Sequence, residues 1–304
     1  MALGGTWTEA QRYPENAPRE GTAEATQASA AAPTSTMPAP SPTTPTSPTS
    51  PTSPPQASLS SGPRLPPAGE RTYPAPGFEE STAPLGTPPA LPGTQAEYAF
   101  TQTQTQTSPD GAPVPVAWSP CRPIHYVVDP ARAPAGFAEQ VRASVAQVSA
   151  ATGLVFVHDG NTASEGSTAE PPAIDRPAFQ PSLYGDRWAP VLIGFADETS
   201  VQVLGGTVTG ITNSIRAQDP GTGIVHLVSG TVYLDTELLA RPDVRGVPAH
   251  VPVLRHELGH LVGLEHVGDA SQLMNPASDS VTTFQSGDLA GLAVLGGGAC
   301  APGL

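Results

Sequence analysis

Proline is what most limits this chain. There are 38 prolines in 304 residues, and they crowd the first 115 positions, where Pro42-Thr43-Thr44 leads into a Pro-Thr-Ser triplet repeated over 45–53. Each proline fixes φ and removes a backbone donor, so neither a helix nor a sheet ladder runs easily through such a stretch. The alternation of Thr and Gln from Thr101 to Thr107 adds no apolar period. Residues 1–115 are therefore expected to be a disordered, extended region, because too little apolar surface is present to offset the entropy of ordering. Thr and Ser packed among Pro suit an O-glycosylated stalk as well as a plain spacer. One folded domain, residues 116–304, is expected to follow.

Charge narrows the partners. Thirteen basic residues, all of them Arg, stand against 27 acidic ones, for a formal net charge of -14. A nucleic-acid or anionic-membrane surface needs clustered positive charge, so neither partner is expected. No run approaches the 18 or so apolar residues of a membrane-spanning helix. The first twenty residues lack the basic start and apolar run of a secretory signal, which implies either retention inside the cell or an export segment outside this sequence.

From Cys121 onward the texture is that of an α/β domain. The β-branched and aromatic run over 124–129 reads as a strand. Phe137, Val141, Val145 and Val148 then line one face of a helix that Gly153 can end in a left-handed conformation. Residues 154–159 and 191–197 read as further strands, and 223–235 as two strand pieces around Ser229 and Gly230. Strand, helix, strand implies a crossover and a partly parallel sheet. A second helix over about 250–263 carries the polar residues of most interest.

That helix contains His256, Glu257 and His260, followed by Gly263 and His266, in the spacing HExxHxxGxxH. Residues four apart on a helix lie about 40° apart around its axis and one turn along, so the imidazoles of His256 and His260 can reach one ion. Glu257 projects beside them, where a carboxylate can touch a metal-bound water. Gly263 can take a positive φ and swing the chain round to deliver His266 as a third nitrogen. Three imidazoles with one open position describe a catalytic zinc site, since structural sites close with four protein ligands and favour Cys. Just downstream, Met274 with Pro276 two residues on suits a tight turn that presents a thioether beneath such a site.

His256 to His266 together with Met274 resembles the metzincin clan of zinc endopeptidases. The run Leu273-Met274-Asn275-Pro276 and the later Asp288-Leu289-Ala290-Gly291-Leu292 are similar to the matrixin branch. The resemblance implies an α+β fold: a twisted mixed sheet, two long helices and a C-terminal helix. It implies that Glu257 is the general base, that zinc is held by His256, His260 and His266, and that Asp288 supports the Met274 turn through its backbone. An acid at a helix N-terminus, favoured by the helix dipole, is the plainer reading of Asp288. Departures from the branch include Val267 after the third His and Gly287 where an Asp pair is usual. Metzincins bind extended peptide against an edge strand, and 201–210 is the candidate here, with Pro276 and 277–284 walling the specificity pocket.

Cys121 and Cys300 bracket the domain and suit a disulfide, which would stabilise it by about 4 to 5 kcal/mol in the chain-entropy model and imply an oxidising compartment. The competing reading makes Cys121 a thiolate cap on the zinc. His125, His158, His226 and His250 have plain readings as strand or loop residues, although His158, Asp159 and His226 form a candidate second zinc site. Loops at Asp159-Gly160-Asn161 and Asp197-Glu198 offer oxygens for calcium, without regular ligand spacing. The function expected is that of a monomeric zinc endopeptidase, secreted or held at the cell surface or wall, acting on protein or peptide substrate. The alternatives are a zinc-retaining, non-proteolytic module that binds peptide or cell-wall partners, and an adhesive N-terminal stalk carrying an accessory enzyme.

Overall fold

The computed structural model describes residues 4–7, 67–90, 97–105, 111–162, 176–278 and 280–304. The Pro-Thr-Ser repeat at 45–53 lies outside the described residues. A first strand, β1 (Gly4–Trp7), joins the main sheet of the unit that also holds residues 66–304.

The folded unit begins well before residue 116. Three short strands, β2 (Ala99–Phe100), β3 (Thr103–Gln104) and β4 (Val114–Pro115), lie in the stretch that composition assigns to a disordered region, and β5 (Ala117–Trp118) follows directly. Polar side chains, not an apolar period, anchor it. The Gln104 amide donates to the carbonyl of Val225 and accepts from its N–H, both at 2.9 Å, so a side chain does what a neighbouring strand's peptide group would do. Gln102 accepts from Arg216. Further back, Glu80 pairs with Arg122 and accepts from Ser119 and from the N–H of Ala301. Hydropathy periods do not register such contacts.

The main chain of elements then runs β6 (Ile124–Val128), α1 (Phe137–Thr152), β7 (Phe156–Asn161), a single turn α2 (Pro181–Tyr184), β8 (Val191–Ala196), β9 (Gly210–Gln218), β10 (Val225–Asp235), α3 (His250–Val262), β11 (Leu264–Glu265) and α4 (Ser286–Gly296). The architecture is mixed α/β with a mostly parallel sheet, ordered β1-β9-β10-β8-β6-β7, with β5 also paired to β10. Strand β9 runs antiparallel to both of its neighbours, β10 and β1. On one face, α1 buries Phe137, Val141, Val145 and Val148 in the largest apolar cluster, which also takes in residues of α3 and α4. Gly153 ends α1 at φ 74° and donates to Ser149.

Two expectations need correction. Residues 223–235 hold one strand, not two: the ladder to β9 slips between Leu227 and Ser229, and β10 continues past it. Gly230 is there for close approach, since a Cβ on it would lie 2.7 Å from Leu261 Cδ1 of α3. The antiparallel strand nearest the β1 edge of the sheet is β9, whereas 201–210 holds a 3-10 turn, Gln202–Leu204, and Gly206 at φ 82°. Strand β9 escaped the hydropathy reading because Thr212, Asn213 and Ser214 are polar yet buried.

Candidate metal centre

Helix α3 exists because Val251, Val253, Leu254, Leu258, Leu261 and Val262 all bury, which fixes it on the sheet. Pro252 is tolerated because it falls in the first turn, where its missing N–H has no intrahelical partner to lose. Near its C-terminal end, the Leu261 carbonyl accepts from the indole of Trp118 at 2.9 Å and from Ser214. The helix stops at Gly263, with φ 118° and its N–H turned back to Gly259 and His260. The next two residues form β11, which pairs with β2, and the chain then presents His266.

The three Nε2 atoms of His256, His260 and His266 form a triangle with every side 3.0 Å. Nδ1 of His256 lies 2.7 Å from the carbonyl of Leu273, and Nδ1 of His260 lies 2.8 Å from that of Leu264. A carbonyl only accepts, so each of these nitrogens carries the proton and each opposing Nε2 presents a lone pair. Lone pairs gathered this closely repel unless a cation lies between them. A triangle of this size allows one ion to reach all three nitrogens at about 2.0 to 2.1 Å, the ordinary zinc–imidazole distance.

The electrostatics agree with that donor set. Burial, and then the ring of His266, push His256 down to about 3. Burial followed by the two neighbouring rings drives His260 well below its ordinary value. Both rings are thus neutral at ordinary pH, the form in which an imidazole can hold a metal.

A second layer holds the first. Met274 is buried, and a Cβ on Gly259 would lie 2.5 Å from its sulfur, so the missing side chain of Gly259 lets the thioether seat directly under the helix between the histidines. The Asp288 carboxylate accepts from the N–H groups of Leu273 and Met274 at 2.8 and 3.2 Å, and from that of Gln285. Burial raises the pKa of Asp288, and these N–H bonds oppose the rise. Gln272 accepts in turn from the N–H groups of Gly287 and Asp288 at the start of α4. Gly287 has a steric cause: a Cβ there would lie 2.1 Å from the backbone oxygen of Glu97, where the segment leading into β2 crosses α4.

Glu257 is 1% exposed. Its Oε2 lies 2.8 Å from the hydroxyl of Thr212, while its Oε1 is buried without a protein partner among the described residues. Burial raises its pKa to about 8 against the opposing hydrogen bond from Thr212, and a cation beside it lowers it again. Thr212, Gly210, Gly259 and Gln272 were not read from the sequence. Only the close Gly259 next to the histidines offered a signal; the rest come from β9 or the turn and are distant or polar.

Other candidates do not assemble. His158 stacks on Tyr126, Asp159 pairs with Arg187 at 2.7 Å and with His125, and His226 lies buried on β10. Three strand spacings separate β7 from β10, about 14 Å, so no second zinc site forms from His158, Asp159 and His226. Among the described residues, the only other converging group is Glu80 with Cys121 and Cys300. Those two cysteines are joined in a disulfide, which removes Cys121 as a thiolate cap. The Asp197 carboxylate is turned into its own loop by Thr199 and Ser200, and Asp159 is held in its ion pairs, so the two loops considered for calcium bring no carboxylates together. No described helix is long and apolar enough to cross a membrane. Comparison of the chain with protein-family models and with curated proteins finds no match.

Proposed function

We propose that this chain is a zinc-dependent endopeptidase similar to the matrixin branch of the metzincins. The observation that carries the reading is the pairing of three convergent imidazole nitrogens with a buried carboxylate whose Oε1 lacks a protein partner among the described residues. His256, His260 and His266 would hold the ion. Bound zinc supplies Lewis acidity there, lowering the pKa of a coordinated water towards neutrality and polarising a carbonyl oxygen. Glu257 takes a proton at Oε1 as peptide-bond hydrolysis begins and returns it to the leaving nitrogen. Leu273 and Leu264 hold the two helix imidazoles in the tautomer that leaves Nε2 free. Burial around Glu257 keeps bulk water away from the proton in transit.

Peptide substrate would add to β9 by main-chain hydrogen bonds. Strand β1 already pairs with Asn213 to Arg216, so Gly210 and Ile211, beside Glu257, are the start of β9 that β1 does not cover and where a substrate would add. The disulfide favours an oxidising compartment, hence a secreted or surface-held protein.

The test uses the full chain, because residues before 116 are part of the folded unit. Zinc per chain is measured by elemental analysis, and wild type is compared with Glu257→Ala on unfolded casein. One equivalent of zinc in both proteins, with cleavage only by wild type, is expected. Zinc retained in both with no cleavage by either would favour the peptide- or wall-binding module instead.

A further inference from the structure

We infer that strand β9 positions the base of this site: Thr212 ties one oxygen of Glu257, and the bare Gly210 leaves the other oxygen room to act. The inference rests on the proteolytic reading of the same residues. Gly210 and Thr212 are two apart on a strand, so they share the face that meets α3. The Thr212 hydroxyl lies 2.8 Å from Oε2 of Glu257 and 3.0 Å from its backbone carbonyl. It has one proton to donate. The carbonyl sits inside an α-helix and already receives the N–H four residues on, whereas Oε2 is the nearer of the two acceptors. The proton therefore belongs on Oε2.

Gly210 completes the seat. A Cβ there would lie 2.8 Å from both Cγ and Oε1 of Glu257 and 2.8 Å from Val253, so any side chain would displace the carboxylate. With Oε2 anchored and Oε1 without a protein partner among the described residues, a single oxygen of the carboxylate is available for proton transfer. Catalysis by a general base depends on such placement before it depends on acidity. Thr212 and Gly210 are positioning residues; they act on the reaction through Glu257.

The experiment compares full-length wild type, Thr212→Val, Thr212→Ser and Gly210→Ala for bound zinc, melting temperature, and kcat and KM on a fluorogenic peptide taken from a casein cleavage site. Thr212→Val is expected to keep its zinc and lower kcat on the order of tenfold, with KM within about twofold of wild type. Thr212→Ser, which restores the hydroxyl, is expected to recover most of that loss, and Gly210→Ala to lose more than Thr212→Val. In zinc-loaded wild type, NMR should show the Thr212 hydroxyl proton in slow exchange, and Glu257→Gln should shift its resonance. This readout stands even if Thr212→Val fails to fold. Equal kcat in Thr212→Val and wild type, or a hydroxyl resonance indifferent to Glu257→Gln, would overturn the inference while leaving proteolysis intact. A wild type that holds zinc and cleaves nothing removes the proteolytic reading, and this inference with it.

Discussion

The carbonyl of Leu273 accepts a 2.7 Å hydrogen bond from Nδ1 of His256, so the turn at Met274 and helix α3 meet in one bond that sets the tautomer of that imidazole. Asp288 holds that turn by its backbone, which extends the chain of support from α4 to the imidazole.

Asp288→Asn should accordingly weaken metal binding without touching a ligand. Leu273 and Gln285 donate to one carboxylate oxygen and Met274 to the other, so an amide oxygen can serve only one side, and its NH2 group meets the remaining N–H head on. Zinc affinity, measured by chelator competition, is expected to fall by about 10- to 100-fold, the usual range for a partner behind a metal ligand.

Glu257→Gln separates binding from chemistry. The variant keeps His256, His260 and His266, so its zinc content should match wild type, while peptide hydrolysis falls by at least about 100-fold. His260→Ala should lose the metal as well, seen by elemental analysis after dialysis.

Acid stability should carry the signature of His226. Burial lowers its pKa to about 4, with Glu80 and Asp219 raising it and Arg122 lowering it. In the unfolded chain the ring protonates near 6.5, so between pH 6.5 and 4 the unfolded state binds more protons and stability falls as pH falls. The full effect is about 3 kcal/mol. Urea titrations of wild type and His226→Gln at matched zinc loading should diverge across that window, with the flatter dependence in the variant. Parallel curves would remove His226 from the account.

Gly287→Ala tests the crossing of Glu97 over α4. The added carbon would meet a backbone oxygen at 2.1 Å, and backbone cannot swing aside as a flexible side chain can. A loss of about 1 to 3 kcal/mol is expected, with faster limited proteolysis within 97–105 as β2 leaves β11.

Strand β1 covers part of the edge to which substrate would add. A chain lacking residues 1–9 should cleave casein faster than the full chain at equal zinc content. Unchanged rates would show that substrate approaches only through Gly210 and Ile211.

Legibility followed the range of the interactions. The face Phe137, Val141, Val145 and Val148, the stop at Gly153 and the turn at Gly263 were readable because helix geometry is local. The three histidines were readable for a similar reason: one turn of helix and one glycine bring them together. Strand β9 and the segment 97–105 were not, because Thr212, Ser214, Gln102 and Gln104 are held by hydrogen bonds to residues far away in the chain, which leave no periodic mark.

Spacing alone was enough to define which nitrogens can share an ion and where the helix carrying them must end, since both follow from the rise and turn of a single element. It took the folded molecule to decide which tautomers those rings adopt, which oxygen of Glu257 is tied, and why Gly210, Gly259 and Gly287 bear no side chain. Those outcomes depend on carbonyls, hydroxyls and backbone brought in from other elements, and their positions exist only once the sheet and helices have packed.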